Sequence, residues 1–145
     1  MAIGKPLVVG MGRVGSLIAL LLSELGMQVA GVDRAEGPSI PGHVACTSAD
    51  VSDPQHLARL CRGRDAVMAC LSSHLIRGVA EVAHAAGLHY FDLTEDVATT
   101  QAIRTFAGSA TAAMIPQNGL APGFIGMLGA SLIQQFDAGT LRQVQ

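Results

Sequence analysis

Aromatic residues make up only 3% of this 145-residue chain, tryptophan is absent, and charged residues account for just 14%. That balance is foreign to disordered and fibrous chains and typical of tightly packed α/β layers. The nine cationic residues are scattered singly apart from Arg59, Arg62 and Arg64, and the formal net charge is −2. No basic footprint exists for a polyanion, so nucleic acid is excluded as a partner. Cys46, Cys61 and Cys70 are odd in number and show no CxxC spacing, which argues against a disulfide framework or a thiolate metal site. They read as buried thiols in a reducing compartment. The start, MAIGKPLVVG, lacks the basic region and cleavage site of a signal peptide, and the expected location is therefore cytoplasmic. The longest apolar stretch, Val14 to Val32, is broken at its centre by Ser23, Glu24, Gly26 and Gln28, where charge is costly in lipid. Two buried elements joined by a turn explain it better than a membrane span.

What is present is apolar: half of all residues, in a chain the length of one ordinary domain. Folding would bury roughly two-thirds of the surface that the unfolded chain exposes, so one core is expected. The apolar periodicity alternates between short strands and helices. Strand PLVVG leads to a helix over about Val14–Leu25, then strand MQVAGVD and a Gly/Pro/Ser loop around Glu36–Gly42. Strand HVACT, a helix over about Pro54–Cys61, strand DAVMACL and a helix over about Leu75–Ala86 follow. Strand LHYFDL, a helix over about Val97–Gly108, strand TAAMIP and a helix over about Pro122–Phe136 complete the alternation, and GTLRQVQ (about 140–145) reads as a further strand beginning. Short connections of this kind produce parallel strands with right-handed crossovers, and uniformly apolar strands call for cover on both faces. The expected fold is α/β, a doubly wound parallel sheet of Rossmann type, with the last strand leading into a substrate domain beyond this chain.

GMGRVG, Gly10 to Gly15, fits GxGxxG, a weak pattern alone that gains weight by following a strand directly and opening a helix. Gly10 permits the tight turn, Gly12 lets the backbone approach a pyrophosphate, and Gly15 lets helix and strand pack closely. The helix N-terminus, with Arg13 and Val14 in its first turn, then presents free N–H groups to the diphosphate. Asp33 closes the second strand where a carboxylate reaches a ribose hydroxyl. This favours NAD over NADP, although Arg34 or Arg13 could pair with a 2′-phosphate. In ADVSD, Ala49 to Asp53, Asp50 and Val51 could flank the adenine, or the stretch could be an ordinary cap for the helix at Pro54.

Ligands in open α/β sheets sit beyond the carboxyl ends of the strands, which nominates three more loops. Leu71, Ser72, Ser73 and His74 form the first; no GxSxG elbow accompanies the serines, and Ser73 reads most simply as a helix cap. Glu95 and Asp96 in the second read as helix-start residues, and Asn118 and Gly119 in the third are candidates for the nicotinamide end. His43, His56, His84 and His89 lack metal-ligand spacing, so no metal is expected.

The stretches VAEVAHAAGLHYFDLTED (Val79–Asp96) and NGLAPGFIGMLGASLI (Asn118–Ile133), together with the glycine loop, resemble the saccharopine dehydrogenase (saccharopine reductase-like) family. AGLHYFDLT and GLAPG are its specific parts. The resemblance implies an NAD(P)-binding domain holding the diphosphate at Gly10, Gly12 and Gly15, with the turn Ala121, Pro122 and Gly123 near the nicotinamide. It also implies oxidation or reduction of a carbon–nitrogen bond in an amino acid or polyamine precursor held between this domain and a second one. Asn118 stands where members often carry Cys or a small residue. A chain of this extent is expected to bind cofactor without turning over substrate, and to self-associate through apolar surface around Phe124–Phe136. The alternative is a regulatory NAD- or ATP-sensing Rossmann module of the kind found in potassium-channel gating rings, which shares GMGRVG and the following acid but has no need of the NGLAPGF turn. A structural α/β domain that binds no nucleotide is the third reading.

Overall fold

The computed structural model describes residues 3–35, 44–121 and 123–134. The Glu36–Gly42 loop, His43, Pro122 and the expected strand at about 140–145 therefore lie outside the described residues.

Strand β1 (Pro6–Val9) is buried along its length. Its proline stands at the first position, where a missing N–H is tolerated in a central strand. Helix α1 (Arg13–Glu24) follows, and Gly26 ends it at φ 84°. There Gly26 N–H donates to the Ser23 carbonyl and Met27 N–H to the Leu22 carbonyl, a pattern that satisfies the orphan carbonyls of the last turn. This turn divides the apolar stretch Val14–Val32 into α1 and strand β2 (Ala30–Asp33). Strand β3 (Ala45–Ser48), helix α2 (Pro54–Leu60), strand β4 (Ala66–Ala69) and helix α3 (Ser73–Ala85) come next. Gly87, at φ 66°, ends α3 by the same device as Gly26, with Leu88 N–H returning to the Ala83 carbonyl. Strand β5 (His89–Asp92), helix α4 (Val97–Ala107), the two-residue strand β6 (Met114–Ile115) and helix α5 (Phe124–Gln134) complete the order.

The six strands are all parallel in the order β3-β2-β1-β4-β5-β6, that of a Rossmann-type sheet. Every strand therefore ends at one edge, and the chain reverses its direction across the sheet between β1 and β4. The larger core joins Leu57 of α2, Ile76, Val79 and Ala83 of α3 and Ile103 of α4 to Val9, Val67 and Tyr90 of the sheet. The smaller one joins Ala19 of α1 to Val8, Met11 and Val29. Cover is thus unequal. Three helices pack on one side, whereas on the other α1 leaves Met68 and Phe91 beside a cavity of about 210 Å³. None of α5 is buried.

Two expectations need correction here. Strand β3 is an exposed edge rather than covered on both faces, so Cys46 is exposed, not a buried thiol. Helix α3 begins at Ser73 rather than near Leu75, because Ser72 already has the extended backbone of an N-cap; Ser73 is therefore the first helical residue and not the cap.

Candidate functional site

Three glycines shape the loop after β1, each for a different reason. Gly10 has φ 93°, and a Cβ there would overlap the Cys70 carbonyl oxygen and stand 2.9 Å from the Leu71 side chain. A Cβ at Gly15 would overlap the Gly10 carbonyl oxygen. Both are demands of internal packing. At Gly12 no heavy atom lies within 4 Å of the place a Cβ would take, and the residue is exposed. The protein itself does not require glycine there, so the open space suits a ligand that must touch the backbone, as a diphosphate does.

Between these glycines Met11 anchors the loop. Its side chain is buried against Gly31 of β2, where a Cβ would come within 2.6 Å of the sulfur. Its N–H donates to Asp33 Oδ2 at 2.6 Å, and its carbonyl accepts from the Ser16 hydroxyl at 2.8 Å. Sequence reasoning passed over Met11 and Gly31 because they occupy unspecified positions of the motif. The signal was a glycine inside a strand, which marks a close approach.

Asp33 lies at the end of β2, with Oδ1 accepting from Ala35 N–H at 3.3 Å. The exposed Arg34 follows, its carbonyl accepting from the Ser48 hydroxyl at 3.1 Å. Asp33, Arg34, Asp50, Val51, Leu71 and Ser72 line one cleft of about 450 Å³, together with Val32, Ser52, His74 and Leu75. Asp50 does not cap α2: its Oδ1 accepts from Ser52 N–H at 2.9 Å, and Asp53 caps by accepting from Gln55 N–H at 2.9 Å. The Ser52 donors, with a smaller contribution from Arg34, hold the exposed Asp50 carboxyl below the usual range.

Helix α4 is likewise capped, Asp96 accepting from Thr99 N–H at 2.6 Å, and the Thr99 side chain first and this backbone bond second lower the Asp96 pKa. By contrast Gly12 and Ser72 make no side-chain cap at the starts of α1 and α3. The first N–H groups of α1, around the exposed Arg13 and Val14, therefore have no side-chain acceptor at the cap and carry the positive end of the helix dipole.

Ser73, Asn118 and Gly119 are not brought into this cleft. Asn118 lines the 210 Å³ cavity with Ile18, Cys70, Phe91 and Leu93. Its Nδ2 donates to the Ile115 carbonyl. Gly119 accepts from Phe124 N–H at 3.0 Å and bridges to Gly123, whose φ of 130° and crowding by the Gly119 carbonyl admit no side chain. Burial pushes the Cys70 thiol up to about 11, so it is a poor nucleophile at neutral pH. The remaining described histidines serve packing or stay apart: His84 meets Phe106 at a tilt of 56° with ring centroids 5.2 Å apart, His89 Nδ1 accepts from Ala113 N–H at 3.1 Å, and His56 is half-buried. Among the described residues no group of three or more His, Cys, Asp or Glu could hold a metal ion. None of their helices is long and apolar enough to cross a membrane.

The family described as Saccharopine dehydrogenase NADP binding domain matches residues 7–116. No curated protein matches the chain significantly. Among solved structures, apo saccharopine dehydrogenase (L-Glu forming) from Saccharomyces cerevisiae aligns with TM-score 0.77 at 17% identity, over 91% of this chain and 31% of that one. MoeE5 in complex with UDP-glucose and NAD aligns with TM-score 0.64 at 17% identity, over 78% and 53% of the two chains. WbmH of Bordetella bronchiseptica in complex with NAD+ gives 0.54 at 20% identity, over 62% and 38%. At such identities the likeness is one of fold, and this chain spans about a third of the yeast enzyme's length.

Proposed function

Since this chain belongs to the family of saccharopine dehydrogenase NADP-binding domains, we propose that it is the cofactor domain of an oxidoreductase acting on a carbon–nitrogen bond of an amino acid or polyamine precursor. The observation that carries the reading is Gly12, whose open face lies at the start of an uncapped helix and next to the Met11 amide that ties the loop to Asp33. In this reading the diphosphate lies on Gly10–Gly15 and the α1 N–H groups, the ribose meets Asp33, and Asp50, Val51, Leu71 and Ser72 enclose the adenosine. Asn118 and Gly119 would hold the nicotinamide end, and the bound cofactor would supply or accept the hydride. The chain's own contribution is position and electrostatics.

Asp33 favours NAD, and Arg34 leaves room for the extra phosphate of NADP. We also place the protein in the cytoplasm and read the exposed apolar α5 as a surface through which copies associate. The potassium-channel reading finds no support in a family match to a dehydrogenase domain. Titration with NADH and NADPH, followed by nicotinamide fluorescence, tests the proposal: binding of both with NADH tighter is expected, and binding of neither rejects it. An assay with saccharopine, lysine and related amines or imines tests the need for a second domain. Cofactor-dependent turnover by these 145 residues would reject that need.

A further inference from the structure

Asp92 ends β5 and is only 1% exposed. A buried carboxylate is costly unless its oxygens find donors, and here they do without a cation. Oδ1 accepts from Thr94 N–H at 2.9 Å and Gln117 N–H at 3.0 Å, Oδ2 accepts from the Tyr90 hydroxyl at 2.9 Å, and the backbone carbonyl accepts from Asn118 N–H at 2.7 Å. The only ion pair among the described residues is Arg77–Glu81, on the outside of α3. Burial, and next the Asp92 charge, push the Tyr90 hydroxyl's pKa upward, so it remains a donor.

Two of these four donors come from the segment after β6, which otherwise has little to hold it. Strand β6 pairs with β5 only through Tyr90↔Met114 and Phe91↔Ile115. The ladder ends at Ile115, and Gln117 then adopts φ 66°, a left-handed conformation that is strained for a non-glycine residue. Such backbone persists only where its surroundings over-determine it. Asp92 is the residue that does so, bonding consecutive amides at Gln117 and Asn118. The next residues, Asn118 and Gly119, are thereby set at the carboxyl edge on the far side of the β1/β4 reversal from the adenosine cleft, with Asn118 against the 210 Å³ cavity.

From this we infer that Asp92 is a positioning residue for the nicotinamide half of the dinucleotide: its carboxylate, through Gln117 N–H, fixes the left-handed turn that its backbone carbonyl then continues at Asn118 N–H, and so sets the wall formed by Asn118 and Gly119. The inference rests on the proposed function. A purely structural role would affect all ligands alike, whereas positioning affects only those that carry a nicotinamide.

The test is calorimetric titration of the 145-residue chain with NADH and with ADP-ribose, which lacks the nicotinamide. Asp92→Ala should weaken NADH about tenfold or more, the loss of a charged hydrogen bond, while ADP-ribose changes less than about twofold. Asp92→Asn should recover most of the loss, since its oxygen can serve both amides while its NH₂ donates to a rotated Tyr90 hydroxyl. Should Asp92→Ala not fold, Gln117→Pro decides, because it removes one donor and forbids the positive φ in a segment outside the core. Parallel weakening of both ligands, no weakening, or a wild type that binds them equally would overturn the positioning role. A wild type that binds neither would instead overturn the proposed function.

Discussion

Valine at Gly12 should separate binding from folding. Gly12 has φ −68° and ψ −167°, extended backbone that any residue adopts, and the new side chain meets no protein atom near its Cβ. Losing glycine at an N-cap costs up to about 1 kcal/mol. Restricting the unfolded chain returns about 0.4–1 kcal/mol, so net stability should change by less than about 1 kcal/mol. Binding is different, because the branched side chain occupies the space assigned to the diphosphate. Overfilling a fitted space costs about 1–3 kcal/mol, or roughly 5- to 150-fold in Kd. Alanine at Gly15 or Gly10 should do the reverse and damage folding first, since each Cβ overlaps a backbone carbonyl oxygen that cannot move aside. Thermal unfolding and NADH fluorescence titration of the three variants measure both quantities. A folded Gly12→Val protein with wild-type NADH affinity would refute the reasoning, as would a Gly15→Ala protein as stable as wild type.

Asp33→Asn retains an acceptor for the Met11 amide but loses the charge. NADPH should improve relative to NADH by on the order of tenfold in paired titrations, and an unchanged ratio would take cofactor choice away from Asp33. Native-state alkylation at pH 8 should label the exposed Cys46 fastest, the half-buried Cys70 more slowly and the buried Cys61 slowest, because burial lifts the Cys61 and Cys70 thiols to about 11. Their raised values also set a sign: the unfolded thiols ionise from near 9.0, so this stabilisation is complete below pH 9 and is lost as pH rises toward 11, a fall that urea midpoints across that range should register. Finally, Phe124, Ile125, Met127 and Ile133 are each at least half exposed, and Met127→Glu should shift the chain toward monomer in light scattering if α5 mediates association.

The strand and helix order was legible because each parallel strand is short, apolar and bounded by a turn residue with a mechanical task, as Gly26 and Gly87 show. The cleft residues were legible in part: Asp33, Asp50 and Leu71 sit at strand ends, and parallel strands bring their ends to one edge. The unequal cover of the sheet was not. Met68 and Phe91 look like buried-strand residues whether a helix or nothing lies above them. Asp92 was hidden for a related reason, since in the sequence it is one acid beside Glu95 and Asp96, and only the arrival of Gln117 and Asn118 distinguishes it. Ser73 looked like a cap because either of two adjacent serines suits that role, and backbone dihedrals alone separate them.

The position of β1 at the centre of the sheet carries a consequence for how the protein is made. Val8 pairs with Gly31 on one side and with Met68 on the other, so during synthesis β1, α1, β2 and β3 emerge while one edge of β1 still lacks its neighbour. Only when β4 docks does Cys70 come to rest against Gly10, as the bond from its N–H to the Val9 carbonyl records. Pairing so distant in sequence is slow, and the waiting edge is exposed to misassembly. A nascent chain that ends before β4 should therefore hold no nucleotide, and in pulsed hydrogen exchange the amides of β1 should become protected in the same step as nucleotide capture.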